Sequence, residues 1–353
     1  MQKPPFRIPT MAEITALPWN GLKVASTFSG CGGSCLGYRM AGYRVLFANE
    51  FVPAAQEAYK ANHPNSYLFT GDVRRLAPEL ILEKCGVAKG ELDVFDGSPP
   101  CSAFSRSGKG SAKWGQVKNY SDVDQRCDDL FFEYVRLLHG VMPKVFVAEN
   151  VPALKQGDAA GLYLQMIGAM RDCGYVVKGF VLDASGLGVP QARKRLIFVG
   201  VREDLGKMPT PPPYLSYAYS AREAVEGLPE LTAGERDRLS ASETMNKLWH
   251  NTKPGMSFMA ACQQLMGKPN CFNSRRLHGG KPSPTVMATA GLYHWDECRQ
   301  LGVPELKRLS GFPDDFVLTG AFAKQVERIG RAVPPMMMAA ISGHIARTIF
   351  DRS

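Results

Sequence analysis

Between residues 22 and 201 short apolar runs recur, and each is stopped by glycine or by a polar side chain. Leu22–Phe28 ends at a glycine cluster, Tyr43–Ala48 at Asn49-Glu50, Leu92–Phe95 at Asp96-Gly97, and Val145–Ala148 at Glu149-Asn150. Leu196–Val201 is a later run of the same kind, and a helix-like stretch, Ser34–Met40, follows the first. Strands alternating with helices predict an α/β fold with a mostly parallel sheet covered on both faces. Such sheets bind ligands outside the carboxyl ends of their strands. The residues that stop each run therefore mark the expected active edge. With 353 residues, 45% of them hydrophobic, the chain can build one large domain and a smaller one.

The pattern changes after Val201. Pro209, Pro211, Pro212 and Pro213 form a joint, followed by Tyr214, Tyr217 and Tyr219. Periodicity is weak from there to Trp295, which predicts an irregular, loop-rich unit. The expected organisation is 1–202, 203–296 and a closing segment 297–353. Within the last, Met337, Ile341, Ile345 and Ile349 recur at helical spacing and predict a core-facing helix over Pro335–Ile349. No apolar run is long enough to span a bilayer, and Met1–Pro9 lacks the apolar core of a secretion signal. A soluble cytoplasmic monomer is expected. The nine cysteines are scattered with no Cys-x-x-Cys pair, which suggests neither a disulfide framework nor a metal site. A net charge of +9 favours a polyanionic partner such as nucleic acid.

Four strand ends carry chemistry. In Phe28-Ser29-Gly30-Cys31-Gly32-Gly33 the glycines let a ligand approach the backbone. Glu50 is placed to bind ribose hydroxyls, and Asp72 to accept a bond from an adenine amine. Cys35 replaces the third glycine of the dinucleotide fingerprint, which argues for an adenosine cofactor without a pyrophosphate and against a nicotinamide oxidoreductase. In Gly97-Ser98-Pro99-Pro100-Cys101-Ser102 two prolines stiffen the chain and hold a thiol at a strand tip. Such a thiol is a nucleophile where nearby positive charge favours the thiolate. A zinc deaminase also uses a Pro-Cys pair, but here Phe104 stands where its second cysteine belongs, and no His-x-Glu occurs.

In this order the chain resembles the DNA cytosine-5 methyltransferases. Phe28–Gly33 resembles the cofactor loop, and Pro99-Pro100-Cys101 the nucleophile motif. Glu149-Asn150-Val151 and Gln191-Ala192-Arg193-Lys194-Arg195 resemble the next two motifs. Arg308–Asp314 resembles the segment that closes the recognition domain, and Gly330-Arg331-Ala332-Val333-Pro334-Pro335 the one that returns to the cofactor. The resemblance implies a Rossmann-like class I S-adenosylmethionine-dependent methyltransferase sheet, interrupted by a small, irregular target recognition domain. It implies S-adenosylmethionine contacts from Phe28, Ser29, Gly30, Gly32, Gly33, Glu50, Asp72, Val73, Pro100, Leu130, Arg331, Ala332 and Val333. It implies double-stranded DNA as partner in a bacterial or phage-encoded setting, with Asn150 a DNA contact and Thr285 touching the backbone beside the flipped base.

The residue types suit that chemistry. Carbon 5 of cytosine becomes nucleophilic once the Cys101 thiolate adds to carbon 6. Glu149 can supply a proton to ring nitrogen 3, a role that a recessed strand end favours. Arg193 and Arg195, two apart on an extended segment, are expected on one side, holding the base oxygen, Glu149 or a phosphate. The base must leave the duplex for the thiol to reach it. Ser105, Ser107 and Lys109 lie in a Gly-, Ser- and Lys-rich stretch that suits a loop closing over DNA, and Arg275 and Arg276 are candidate DNA contacts further on. One departure stands out. The family usually has asparagine where this chain has Arg331. Either Arg331 turns to solvent, a phosphate or a protein carboxylate, or it pairs with an anionic donor, carboxy-S-adenosylmethionine, to give 5-carboxymethylcytosine. An RNA cytosine methyltransferase and an inactive DNA-binding regulator are the remaining alternatives.

Overall fold

The computed structural model describes residues 3–100, 118–120, 123–125, 129–267, 273–289 and 291–352. Seven strands form the central sheet: β1 (Lys23–Thr27), β2 (Arg44–Asn49), β3 (Tyr67–Phe69), β4 (Val94–Gly97), β5 (Val145–Asn150), β6 (Tyr175–Asp183) and β7 (Lys194–Arg202). Their spatial order is β3-β2-β1-β4-β5-β7-β6. β3, β2, β1, β4 and β5 pair in parallel, and β7 is inserted antiparallel between β5 and β6. Order reverses between β1 and β4, which opens a crevice at their carboxyl ends. Each expected strand is present. β6 is additional, and its Lys178-Gly179 interruption hides it in the sequence. At Gly179 a Cβ would stand 2.9 Å from the hydroxyl of Tyr163, which packs closely over the strand there.

The strands are apolar on both faces, as strands buried between two helical layers must be. On one face Phe95, Phe146 and Phe198 pack with α4 (Pro78–Cys85), α5 (Leu130–Val141) and α6 (Ala160–Arg171). On the other, Val24, Val94, Val147 and Val199 pack under α2 (Gly33–Met40), α3 (Pro53–Asn62) and the closing helix Pro335–Thr348. Each fully buried phenylalanine contributes roughly 1.5–3 kcal/mol over an exposed one. The expected C-terminal helix thus lies across the sheet with Met337, Ile341 and Ile345 inward.

From 203 to 296 regular structure is short. Its helices are Ala221–Val225, Ala233–Leu239, Glu243–His250 and Met259–Met266. An apolar cluster containing Leu277, Val286 and Trp295 continues into Leu306, Leu309, Val326 and Ile329, so packing is shared across position 296. Arg308 closes this join: it grips Asp314 at 2.8 and 2.7 Å and donates to the Glu226 carbonyl at 2.6 Å. No helix among the described residues is long and apolar enough to cross a membrane.

Candidate active site

The end of β1 is bent to leave its backbone open. Phe28 has φ 55°, a left-handed conformation that costs about 1–3 kcal/mol for a side chain of this size. Gly32 has φ 92° and caps α2, and a Cβ there would stand 2.2 Å from the His63 ring. Gly30 faces open space. Glu50, just past β2, is buried and accepts from the Gly30 and Val52 amides, both at 2.7 Å. Burial pushes its carboxyl up, against the pull of those amides. Asp72 caps a short helical turn and pairs with Arg74 at 3.0 Å. Arg74 also pairs with Asp129 at 2.6 Å, which ties the entry of α5 to this wall.

These elements enclose a cavity of about 380 Å³. Of the residues expected to meet a cofactor, Phe28, Ser29, Gly30, Gly33, Glu50, Asp72 and Val73 line it. Pro100, Leu130, Arg331, Ala332 and Val333 line it as well, with Ala332 and Val333 packed against Gly33. Gly32 does not; it acts by shaping the turn. Leu130 is 2% exposed and forms part of the apolar wall.

The far end of the cavity is formed by β4 and β5. Glu149 faces it and pairs with Arg195 Nε at 2.8 Å, the two arriving on neighbouring antiparallel strands. Asn150 is buried and donates to the Pro99 carbonyl at 3.3 Å, while its own oxygen accepts from the Val151 amide at 2.8 Å. Its amide thus ties the proline segment to β5. Cys101, Ser105, Ser107 and Lys109 lie outside the described residues. The described cysteines contrast with what a nucleophile needs: burial pushes Cys31 up to about 12 and Cys35 up to about 11.

Arg193 stands near Arg195 and Glu149 but points into the protein. It is buried and donates to the carbonyls of Val286 at 3.1 Å and Gly330 at 2.9 Å. Burial pushes its guanidinium well below its usual value, and Arg195 adds to this. These bonds tie together three segments distant in sequence. Thr285 reaches the same place: its hydroxyl donates to the Ala192 carbonyl at 3.1 Å. Arg275 is exposed. The Arg276 guanidinium stacks 3.5 Å from the Trp249 ring and donates to the carbonyls of Trp295 and Thr252. Arg331 pairs with Glu327 at 2.9 Å, and Glu327 also holds Arg328 at 3.0 Å.

A family model described as C-5 cytosine-specific DNA methylase matches residues 22–347. The chain belongs to the C-5 cytosine-specific DNA methylases. The Type II methyltransferase M1.HphI of Haemophilus parahaemolyticus is 33% identical over 326 residues, covering 89% of this chain and 84% of that one. Type II methyltransferase M.NgoFVII of Neisseria gonorrhoeae is 30% identical over 353 residues, covering 94% and 88%. In fold, the chain is similar to DNMT2 of Spodoptera frugiperda, with TM-score 0.65 and 15% identity over 94% of this chain and all of that one. The sheet is that of class I S-adenosylmethionine-dependent methyltransferases. This methylase's cavity fits the donor the family uses. Gly30 leaves room at the backbone, Glu50 keeps lone pairs beyond its two amide bonds, and Phe28, Val73 and Leu130 offer apolar walls.

Among residues at or beside the site with no role assigned from the sequence, three shape it. Gln191 donates to Leu309 O and Ser310 Oγ and accepts from the Val286 amide, joining the strand before β7 to the recognition segment. Arg328 and Asp96 line the cavity. Asp96 carried a signal, a carboxylate at the end of an apolar run, and Gln191 opens one of the family motifs; Arg328 carried none that local pattern reveals.

Proposed function

We propose that this methylase takes a cytosine out of double-stranded DNA, adds the Cys101 thiolate to carbon 6 and methylates carbon 5. The observation that carries the proposal is the Glu149–Arg195 pair at one end of the cavity, held beside the Pro99–Pro100 segment by Asn150. S-adenosylmethionine, when bound, supplies the methyl group as a good electrophile. The sulfur–carbon 6 bond forms as the ring double bond shifts charge toward nitrogen 3, where Glu149 holds a proton. Arg195 fixes the Glu149 carboxyl and is placed for the base oxygen. Loss of the carbon 5 proton then expels the thiolate. Residues 203–296 serve as the recognition part between catalytic segments 1–202 and 297–353. Arg193, Gln191 and Thr285 hold that part in register with the site. The likeness to bacterial Type II methyltransferases supports a restriction-modification methylase that works in the cytoplasm.

Duplex DNA containing 5-fluorocytosine tests the covalent step, because fluorine cannot leave as the proton does. The wild type forms a denaturation-resistant adduct in the presence of donor and Cys101→Ala forms none; an adduct in the variant rules out Cys101 as nucleophile. Side-by-side assays on duplex DNA and transfer RNA separate the RNA alternative.

The Arg331–Glu327 pair favours plain S-adenosylmethionine over the carboxylated donor, since a carboxylate of the protein already answers that guanidinium. Equal supplies of the two donors should give 5-methylcytosine. A predominance of 5-carboxymethylcytosine, lost in Arg331→Asn, reverses this choice.

A further inference from the structure

Asp96 ends β4 with its carboxyl 2% exposed in the wall of the cofactor cavity, and the chemistry above does not use it. Its oxygens collect hydroxyls from two other elements. Ser26 Oγ of β1 donates at 2.9 Å, Ser34 Oγ of α2 at 3.0 Å and the Tyr38 hydroxyl at 3.3 Å. Ser29 Oγ donates to Ser26 Oγ at 3.1 Å, so the network reaches the cofactor loop. Among the described residues no Lys, Arg or His forms an ion pair with Asp96. The titratable groups acting on it include Cys35 and Tyr38 of α2, Tyr134 of α5 and Glu149 of β5, all neutral or acidic, while Arg328 and Arg331, which line the same cavity, are paired with Glu327. A buried carboxylate in such company needs either a proton or a cation.

The donor brings a cation, its sulfonium, and the spent thioether does not. Position along the sheet decides which part of the donor Asp96 meets. Glu50 and Asp72 mark the cavity at β2 and β3, whereas Glu149 marks the β5 end where the base must lie. The transferred carbon has to reach that base, so the sulfonium belongs on the β4–β5 side.

We propose that Asp96 is the charge partner of the donor's sulfonium and the group by which the pocket tells donor from spent product. This rests on the reading of the cavity as an S-adenosylmethionine site. Asp96 ionises against the bound sulfonium and gives its proton to solvent. After transfer the thioether leaves it without a cation, and it takes a proton back as the product departs. Burial pushes the carboxyl up to about 7, while the three hydroxyls pull it down and Glu149 raises it further, so protonation is balanced near neutrality. Linkage makes the effect reciprocal: the cation expels the proton, and the ionised acid tightens the cation by the same factor.

The test is calorimetric titration of the full chain with S-adenosylmethionine and S-adenosylhomocysteine, between about pH 6 and pH 8.5, in two buffers of different ionisation enthalpy. The ligands share their nucleoside and amino-acid ends, so the ratio of their dissociation constants isolates the sulfonium. Wild-type affinity for the donor should weaken as pH falls below about 7, with proton release on binding, and affinity for the thioether should not follow. Asp96→Asn should cut the donor preference about tenfold and abolish the proton release. A preference within about twofold of wild type overturns the proposal. Tyr38→Phe keeps the carboxyl but removes one hydroxyl, and should move the onset of weakening to higher pH; an unmoved onset also overturns it. If neither ligand binds the wild type, the pocket reading itself falls and the proposal with it, an outcome distinct from tight binding that ignores Asp96.

Discussion

The sheet edge and the segment from 203 to 296 use charged side chains in opposite ways. At the edge, Glu50, Asp72, Asp96 and Glu149 each lie in the last residues of a strand or just past its end, and all line one cavity. The strand ladders already satisfy most backbone groups there, so side chains at the strand ends can serve a ligand. In 203–296 the helices are five to eight residues long and the strands two. Carbonyls left outside a ladder need other donors. Arg276 supplies them within the segment, and Arg193 and Arg308 supply them from the segments that flank it. An arginine near irregular backbone is therefore as apt to be scaffold as DNA contact, because its five donors match stray carbonyls well.

Substitutions can break or sharpen that contrast. At the edge, Glu149→Gln should lower kcat by roughly 10²–10⁴-fold while leaving the dissociation constant for S-adenosylmethionine within about threefold. Single-turnover methylation and calorimetry read the two quantities, and an active variant removes Glu149 from the chemistry. At the boundary, Arg193→Met should destabilise the fold by about 2–4 kcal/mol in urea, since it strands two buried carbonyls. A stable but inactive Arg193→Met would return that residue to the chemistry.

Gly330→Ala probes the same contact. Its Cβ would stand 2.2 Å from the Met287 carbonyl, so about 1–3 kcal/mol of stability should be lost together with DNA methylation. Within the recognition segment the two adjacent arginines should separate. Arg276→Ala should lower stability by about 1–3 kcal/mol through its lost carbonyl bonds and its stack on Trp249. Arg275→Ala should leave the melting temperature within about 1 °C and reduce the salt dependence of DNA binding by about one ion. Equal effects of the two on both measurements would erase the distinction drawn here.

Much of the edge was readable before any fold was known. Glu50, Asp72 and Glu149 could be placed because each follows an apolar run, and a parallel sheet gathers strand ends at one side. Asn150 shares that position yet turns inward, because Pro99 lies beside it only once β4 and β5 pair. The strand Tyr175–Asp183 escaped notice because Lys178-Gly179 breaks its apolar run, and Tyr163 of α6, which packs over that glycine, lies elsewhere in the chain.

The sequence by itself determined the α/β class, the side of the sheet that does chemistry, the order of the six motifs and the family they spell. These follow from alternation, stops and spacing, which act between near neighbours in the chain. Tertiary structure alone decided where the long side chains go. Arg193 finds its acceptors 93 and 137 residues away, and Arg276 rests on Trp249 and Trp295. It alone placed the Asp96 carboxyl under hydroxyls from β1 and α2 and Glu327 beside Arg331. A charge takes its partner from whatever the fold brings within about 3 Å, and local pattern carries no record of that.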